Sequence, residues 1–345
     1  MTGAAVPAIS VRIRYATKAA MAELVSAADD LGLHGAWVSE PWGFDAGAVL
    51  GWAAGATRRV VLGTHIASVF ARTPVATAGV AASLATLSDG RFRLGLGTSG
   101  PQVVEGWHGV PFERPLERTR DTVAIVRAAL TGEPVVHAGR SVTVPSRPDR
   151  RPLRFSQLGE PLDVPIYLAA LGPANQRLAA EVADGWTPTP YSPDAHDTFA
   201  APLTAALAEH DRVGAVRIAP VCPVAIGPRL PDLLDLERGW SALYLGGMGL
   251  PGQSFYAESA RRLGHAAMAD AVQTRWTAGD RRGARAAVSD AYADSIGLFG
   301  TVERVRERLD RYVAAGVDEI VVELRKPDVT DQVEDLRLLW KAVHG

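Results

Sequence analysis

Short apolar stretches alternate with longer amphipathic ones along nearly the whole chain, and this rhythm restricts the fold more than any other feature. ISVRIRY (9–15) reads as a first strand, and residues 18–31 follow with Met21, Leu24, Val25, Ala28 and Leu31 on one helical face. GAWVSE (35–40), VVLGTHIASVF (60–70) and RFRLGLG (91–97) read as strands two to four. Asp45 is placed to cap a helix from Ala46, Pro74 opens another through Leu87, and a third over 115–130 turns Val123, Val126 and Leu130 inward. VPIYLAAL (164–171), GWTPTP (185–190), 216–226 and DEIVVEL (318–324) supply strands five to eight. Helices are predicted over 173–183, about 194–211 and 301–316, and a final helix carries Val333, Leu336, Leu339, Trp340 and Val343.

Eight strand–helix units predict an α/β chain folded as one (β/α)8 TIM barrel over 1–345, with a doubly wound sheet as the alternative. Such barrels need ~250 residues. Two interruptions account for the surplus. Residues 133–164 hold a hairpin around Gly139 and a Pro- and Arg-rich stretch; residues 228–294 are mostly helical, with a glycine-rich break at GGMGLPG (246–252).

The chain is 47% hydrophobic and carries a net charge of −2, which fits a packed core and argues against nucleic acid as a partner. No apolar run is long enough to span a bilayer and no leader pattern opens the chain, so a cytoplasmic protein without a membrane partner is expected. Cys222 is the single cysteine and sits in an apolar strand, as a packed thiol would. The eight histidines are scattered with no metal-binding spacing, so no metal site is expected.

GTSGPQVVEGWHG (97–109) follows the fourth strand, and Gly95, Gly97 and Gly100 spell G-x-G-x-x-G. Two features weigh against a dinucleotide fingerprint. The motif follows the fourth strand rather than the first, and the Gly- and Pro-rich continuation after Pro101 does not read as a regular helix. A nucleophile elbow would require G-x-S-x-G, and Pro101 breaks that pattern. A loop at the C-terminal mouth of a barrel remains, where this fold builds its active sites. GPANQ (172–176) opens a helix with Pro173 in its first turn, and the free N–H groups there attract an anion.

LGLGTSGPQVVEGWHGVPF with RTRDTV behind it resembles the luciferase-like oxidoreductases, and within them the coenzyme F420-dependent branch that includes methylenetetrahydromethanopterin reductase. LGLHGAWVSEPWGFDA, VVLGTHIASVFARTP, LAALGPANQRLAAEVADGW and GVDEIVVEL agree in order, so the resemblance covers nearly the whole chain except 228–294. It implies a deazaflavin in the barrel mouth. Ala67, Ser68 and Val69 would border the ring, near a non-proline cis peptide. Thr98, Ser99, Gly100 and Gln102 would meet the ring edge or ribityl chain. Leu171, Gly172, Ala174 and Asn175, with Arg177 adding charge, would hold the phosphate. The second-strand loop departs from the acid–His and Trp pattern of the sugar-phosphate dehydrogenases, having Glu40-Pro41 and Asp45 at those positions. That chemistry is therefore not carried over. Glu40, Asp45 and His65 are the acid/base candidates that remain.

The resulting expectation is an oxidoreductase moving a hydride between F420 and a small organic metabolite, working as a homodimer. An FMN-dependent monooxygenase using reduced flavin and oxygen is the alternative, and a ligand-binding protein without turnover is the third.

Overall fold

The computed structural model describes residues 6–40, 42–249 and 252–345. Eight parallel barrel strands appear where the alternation predicts them. In chain order they are Ala8–Ile13, Gly35–Val38, Val61–Thr64, Phe92–Gly97, Ile166–Leu168, Gly185–Trp186, a seventh split into Arg217–Ile218 and Val221–Ile226, and Glu319–Leu324. The first piece of the seventh strand pairs with the sixth and the second piece with the eighth. The residues between them keep both ladders: Ala219 and Val221 N–H donate to Trp186 and Pro188, while Pro220 accepts from Val321 N–H. The eighth strand pairs with the first, so the sheet curls into a barrel.

Two short strands stand apart from these eight. Ala67–Ser68 is the far end of the expected third strand, separated from Val61–Thr64 by a cis peptide at His65–Ile66. Leu298–Gly300 adds to the outer side of the seventh strand at Val224–Ile226 and was too short to show any period. The interruption at 133–164 holds the expected hairpin, His137–Ala138 against Thr143–Val144. One expectation is corrected. Pro101–Gly106 is a six-residue helix, because Gly100 supplies an extended N-cap and Pro101 a ready first turn.

The helices start where polar side chains accept first-turn N–H groups. Thr17, Asp45, Thr73 and Thr301 each cap in this way. The eighth strand shows how the barrel fills. Its even-numbered Ile320, Val322 and Leu324 join the main apolar core. Its odd-numbered residues form tiers inside the barrel. Glu319 sits lowest, accepting from Ser10 Oγ at 2.5 Å and Trp37 Nε1 at 2.9 Å, with Arg93 Nη1 3.2 Å away. Val321 packs above it with Trp37, Tyr167 and Val221. Glu323 is the top tier and opens toward the barrel mouth. Among the described residues no helix is long and apolar enough to cross a membrane.

Candidate active site

The helical interruption lies over the mouth and closes one side of a cavity. It comprises Leu230–Ala242, a π turn at Leu243–Gly247, Phe255–Arg262, Ala266–Thr277, Arg281–Ala287 and Asp290–Ser295. The cavity, its open mouth included, encloses about 1540 Å³ of empty space.

One half is built from the predicted loops. Thr98, Ser99, Gly100 and Gln102 line it from the fourth strand, and Leu171, Gly172 and Asn175 from the fifth. Gly95 and Gly97 do a different job from the one their motif suggests. A Cβ on Gly95 would come 2.0 Å from the Thr64 carbonyl oxygen, and one on Gly97 would come 2.9 Å from Ile66 Cδ1. They let the third and fourth strands close up beside the His65–Ile66 bend. Gly100 and Gly172 line the cavity, and a Cβ on either would project into open space. Gly172 caps Pro173–Val182 without a side-chain partner, so the first-turn N–H groups of that helix stay available.

Several expected residues lie elsewhere. Ala67, Ser68 and Val69 are buried, and the cavity wall beside them comes from His65 and Ile66. Ala174 and Arg177 are exposed and off the cavity wall. Asp45 caps its helix through Ala48 N–H at 2.8 Å, pairs with Arg72, and does not reach the cavity. Pro41 lies outside the described residues.

Glu40 and His65 do line the cavity. Both Glu40 oxygens accept from Arg72, Nη1 and Nη2 each at 2.5 Å, and Oε1 also accepts from Ala46 N–H at 3.1 Å. The sequence reading of Glu40 as an acid/base candidate had no means of seeing Arg72, thirty-two positions away. His65 is buried with Nε2 on Thr187 Oγ1 at 2.5 Å. Burial, helped by the nearby Arg12 charge, pushes its imidazole down to about 3, so the ring is neutral at physiological pH.

The other half of the cavity was missed by the sequence reading. Arg12, Glu323 and Arg325 rise from the first and eighth strands, and Glu237 and Ser241 descend from Leu230–Ala242. Arg12 Nη1 lies 3.4 Å from Glu323, and Arg325 Nη1 3.0 Å from the same carboxylate. Arg325 Nε donates to Glu237, and Arg12 Nε donates to Ser39 Oγ at 2.6 Å. Tyr244, Tyr256 and Tyr292 add aromatic wall. A signal for the strand residues was present, since ISVRIRY and DEIVVELR place charges in otherwise apolar strands. Buried charges of that kind need partners, and the partners define an interior site.

Comparison with known proteins is consistent with this architecture. The family model for luciferase-like monooxygenases matches residues 4–319. A provisionally named coenzyme F420-dependent oxidoreductase of Mycobacterium tuberculosis is 37% identical over 337 residues, covering 92% of this chain and 93% of that protein. An F420-dependent glucose-6-phosphate dehydrogenase of Beutenbergia cavernae is 32% identical over 276 residues, covering 73% and 77%. The coenzyme F420-dependent tetrahydromethanopterin reductase from Methanopyrus kandleri has the same fold, with a TM-score of 0.80 at 21% identity over 98% of this chain and 99% of that one.

Proposed function

This chain belongs to the luciferase-like monooxygenase family, and from that premise we propose that it is a coenzyme F420-dependent oxidoreductase acting on a small, uncharged organic metabolite. The observation that carries the reading is the near full-length match to an F420-named relative on a chain whose barrel mouth has the space and donors for the group. The fit rests on the open space beside Gly100 and Gly172, the unclaimed N–H groups opening Pro173–Val182, and the polar edge of Thr98, Ser99 and Gln102.

Bound there, a deazaflavin would supply or accept a hydride. The protein's own contributions are positional and electrostatic. Gly172 and Asn175 would hold the phosphorylated tail, with the helix N-terminus favouring its negative charge. The 97–100 backbone would carry the flat ring, and the helical interruption would keep bulk water from the reacting face.

The charge pattern favours an uncharged substrate. Among the described residues, the two arginines lining the cavity are both paired with carboxylates, Arg12 with Glu323 and Arg325 with Glu323 and Glu237. No free guanidinium is left for a substrate phosphate, which separates this pocket from what a sugar phosphate requires. Titration of the apoprotein with F420 and with FMN tests the cofactor. F420 is expected to bind tighter by roughly tenfold or more. Tight FMN binding with no F420 binding would replace this reading with a flavin-dependent monooxygenase.

A further inference from the structure

Among the described residues three carboxylates line the cavity, Glu40, Glu237 and Glu323. Two of them have guanidinium groups at both carboxyl oxygens. Glu40 is held at both oxygens by Arg72 and at one by Ala46 N–H. Glu323 sits between Arg12 and Arg325; although burial disfavours its charge, those guanidinium groups and Arg14 hold it at about 2. His65 is neutral and bonded to Thr187, so it has no acidic proton to offer at physiological pH.

Glu237 is arranged differently. Oε2 accepts from Arg325 Nε, whereas Oε1 accepts from the Ser241 hydroxyl at 2.6 Å, one helical turn onward. Both residues are buried in the protein and both face the cavity. A carboxyl oxygen and a hydroxyl at that separation share a proton readily. Burial raises the Glu237 carboxyl above its ordinary range, and Arg325 and Ser241 reduce that shift without cancelling it. The charged and titratable groups around it are Arg325 and Glu323 from the eighth strand, Arg12 from the first, and Tyr292 from Asp290–Ser295. Two neighbouring carboxyls are thus driven apart, one kept ionised and one favouring its proton, which is how sites divide electrostatic and acid roles.

We infer that Glu237 is the proton store of the reaction and that the Ser241 hydroxyl delivers its proton to the oxygen of the substrate. The inference rests on the hydride-transfer reading above. In the reducing direction a bound reduced deazaflavin would supply a hydride, with its electron pair, to the substrate's carbonyl carbon, and the C=O π bond would break. The carbonyl oxygen takes the Ser241 proton, and Ser241 is refilled from Glu237. Glu237 is left as a carboxylate against Arg325 and recovers a proton from solvent, which balances the proton a bound deazaflavin would release on oxidation. Oxidation of an alcohol runs the same path backward.

Infrared spectroscopy of the apoprotein tests this without a substrate. Near pH 7, above the value of about 6 to which burial raises the Asp335 carboxyl, the wild type is expected to show a protonated-carboxyl band that Glu237→Gln removes. Ser241→Ala is expected to keep the band and shift it, because one hydrogen-bond partner is gone. The band is also expected to move promptly in heavy water, since the hydroxyl faces the cavity. Absence of a band that Glu237→Gln removes, no shift in Ser241→Ala, or slow exchange would each overturn the inference. F420 titration of the same proteins separates the two readings. Equal affinity in wild type and Glu237→Gln is expected. Lost affinity in the variant alone would make Glu237 a cofactor-holding residue and overturn its role as proton store. F420 failing to bind either protein refutes the cofactor reading instead.

Discussion

Arg72 grips Glu40 at both carboxylate oxygens, each contact 2.5 Å long, and the same guanidinium reaches Asp45. The three residues tie the loop after the second strand to the segment leading into Pro74–Leu87. Glu40 therefore acts as a brace for the cavity wall. Arg72→Gln is expected to cost about 1.5–3 kcal/mol, the usual value of charge-assisted hydrogen bonds that are mostly shielded from water. Urea unfolding measures it, and a loss near zero would mean that solvent already screens the pair.

Burial keeps His65 neutral in the folded protein down to about pH 3, against an ordinary value of 6.5. Between those limits the unfolded chain binds a proton at this residue that the folded chain refuses. Stability is therefore lost as pH falls through that window, by up to about 1.4 kcal/mol per pH unit. Asp29 and Asp121, whose carboxyls accept backbone N–H groups, weaken the fold at acid pH in the same direction. The His65 share is isolated by comparison with His65→Gln. Between neutral pH and about pH 5 the wild type should lose up to about 2 kcal/mol more than the variant. Parallel stability curves would show that His65 takes up its proton without unfolding.

Two glycines, Gly95 between the third and fourth strands and Gly172 on the cavity wall, should respond oppositely to one added methyl. A Cβ on Gly95 collides with the Thr64 carbonyl oxygen at 2.0 Å, in backbone that has nowhere to move. Gly95→Ala is expected to cost about 3 kcal/mol or more, or to prevent folding. Gly172→Ala places its methyl in open space at an ordinary φ of −77°, so stability should be unchanged. Its F420 affinity should fall by roughly tenfold if the tail lies against that backbone. Thermal melts and fluorescence titration distinguish the pair; unchanged affinity in Gly172→Ala would move the phosphate elsewhere.

Cys222 lies fully buried with its Sγ 3.2 Å from Tyr312 Oη, and burial pushes the thiol up to about 12. The native protein should resist thiol reagents until it unfolds. Modification at a rate independent of denaturant would place this strand closer to solvent than the barrel allows.

The barrel was legible in the sequence because parallel strands covered by helices leave two clear signatures, short and mainly apolar runs and a helical period between them. Val221–Ile226 and Glu319–Leu324 are buried at every position, and the helix Val302–Ala314 repeats its apolar face as expected. The loop at 97–102 was legible for the same reason, since it follows one of those runs directly. The short helix at Pro101–Gly106 was not, because six residues rich in Gly and Pro neighbours carry too little period to register.

The sequence alone determined the number and order of the barrel units and which loops crowd the mouth, since both follow from local periodicity. Tertiary structure decided what those residues do there. Gly95 is a packing contact because Thr64 comes to lie against it, Glu40 a brace because Arg72 does, and Glu237 meets Arg325 because a helical interruption folds back over the mouth. Glu237 and Arg325 stand eighty-eight positions apart. Charge pairing over such separations leaves no periodic trace, so these roles emerge only once the chain has closed on itself.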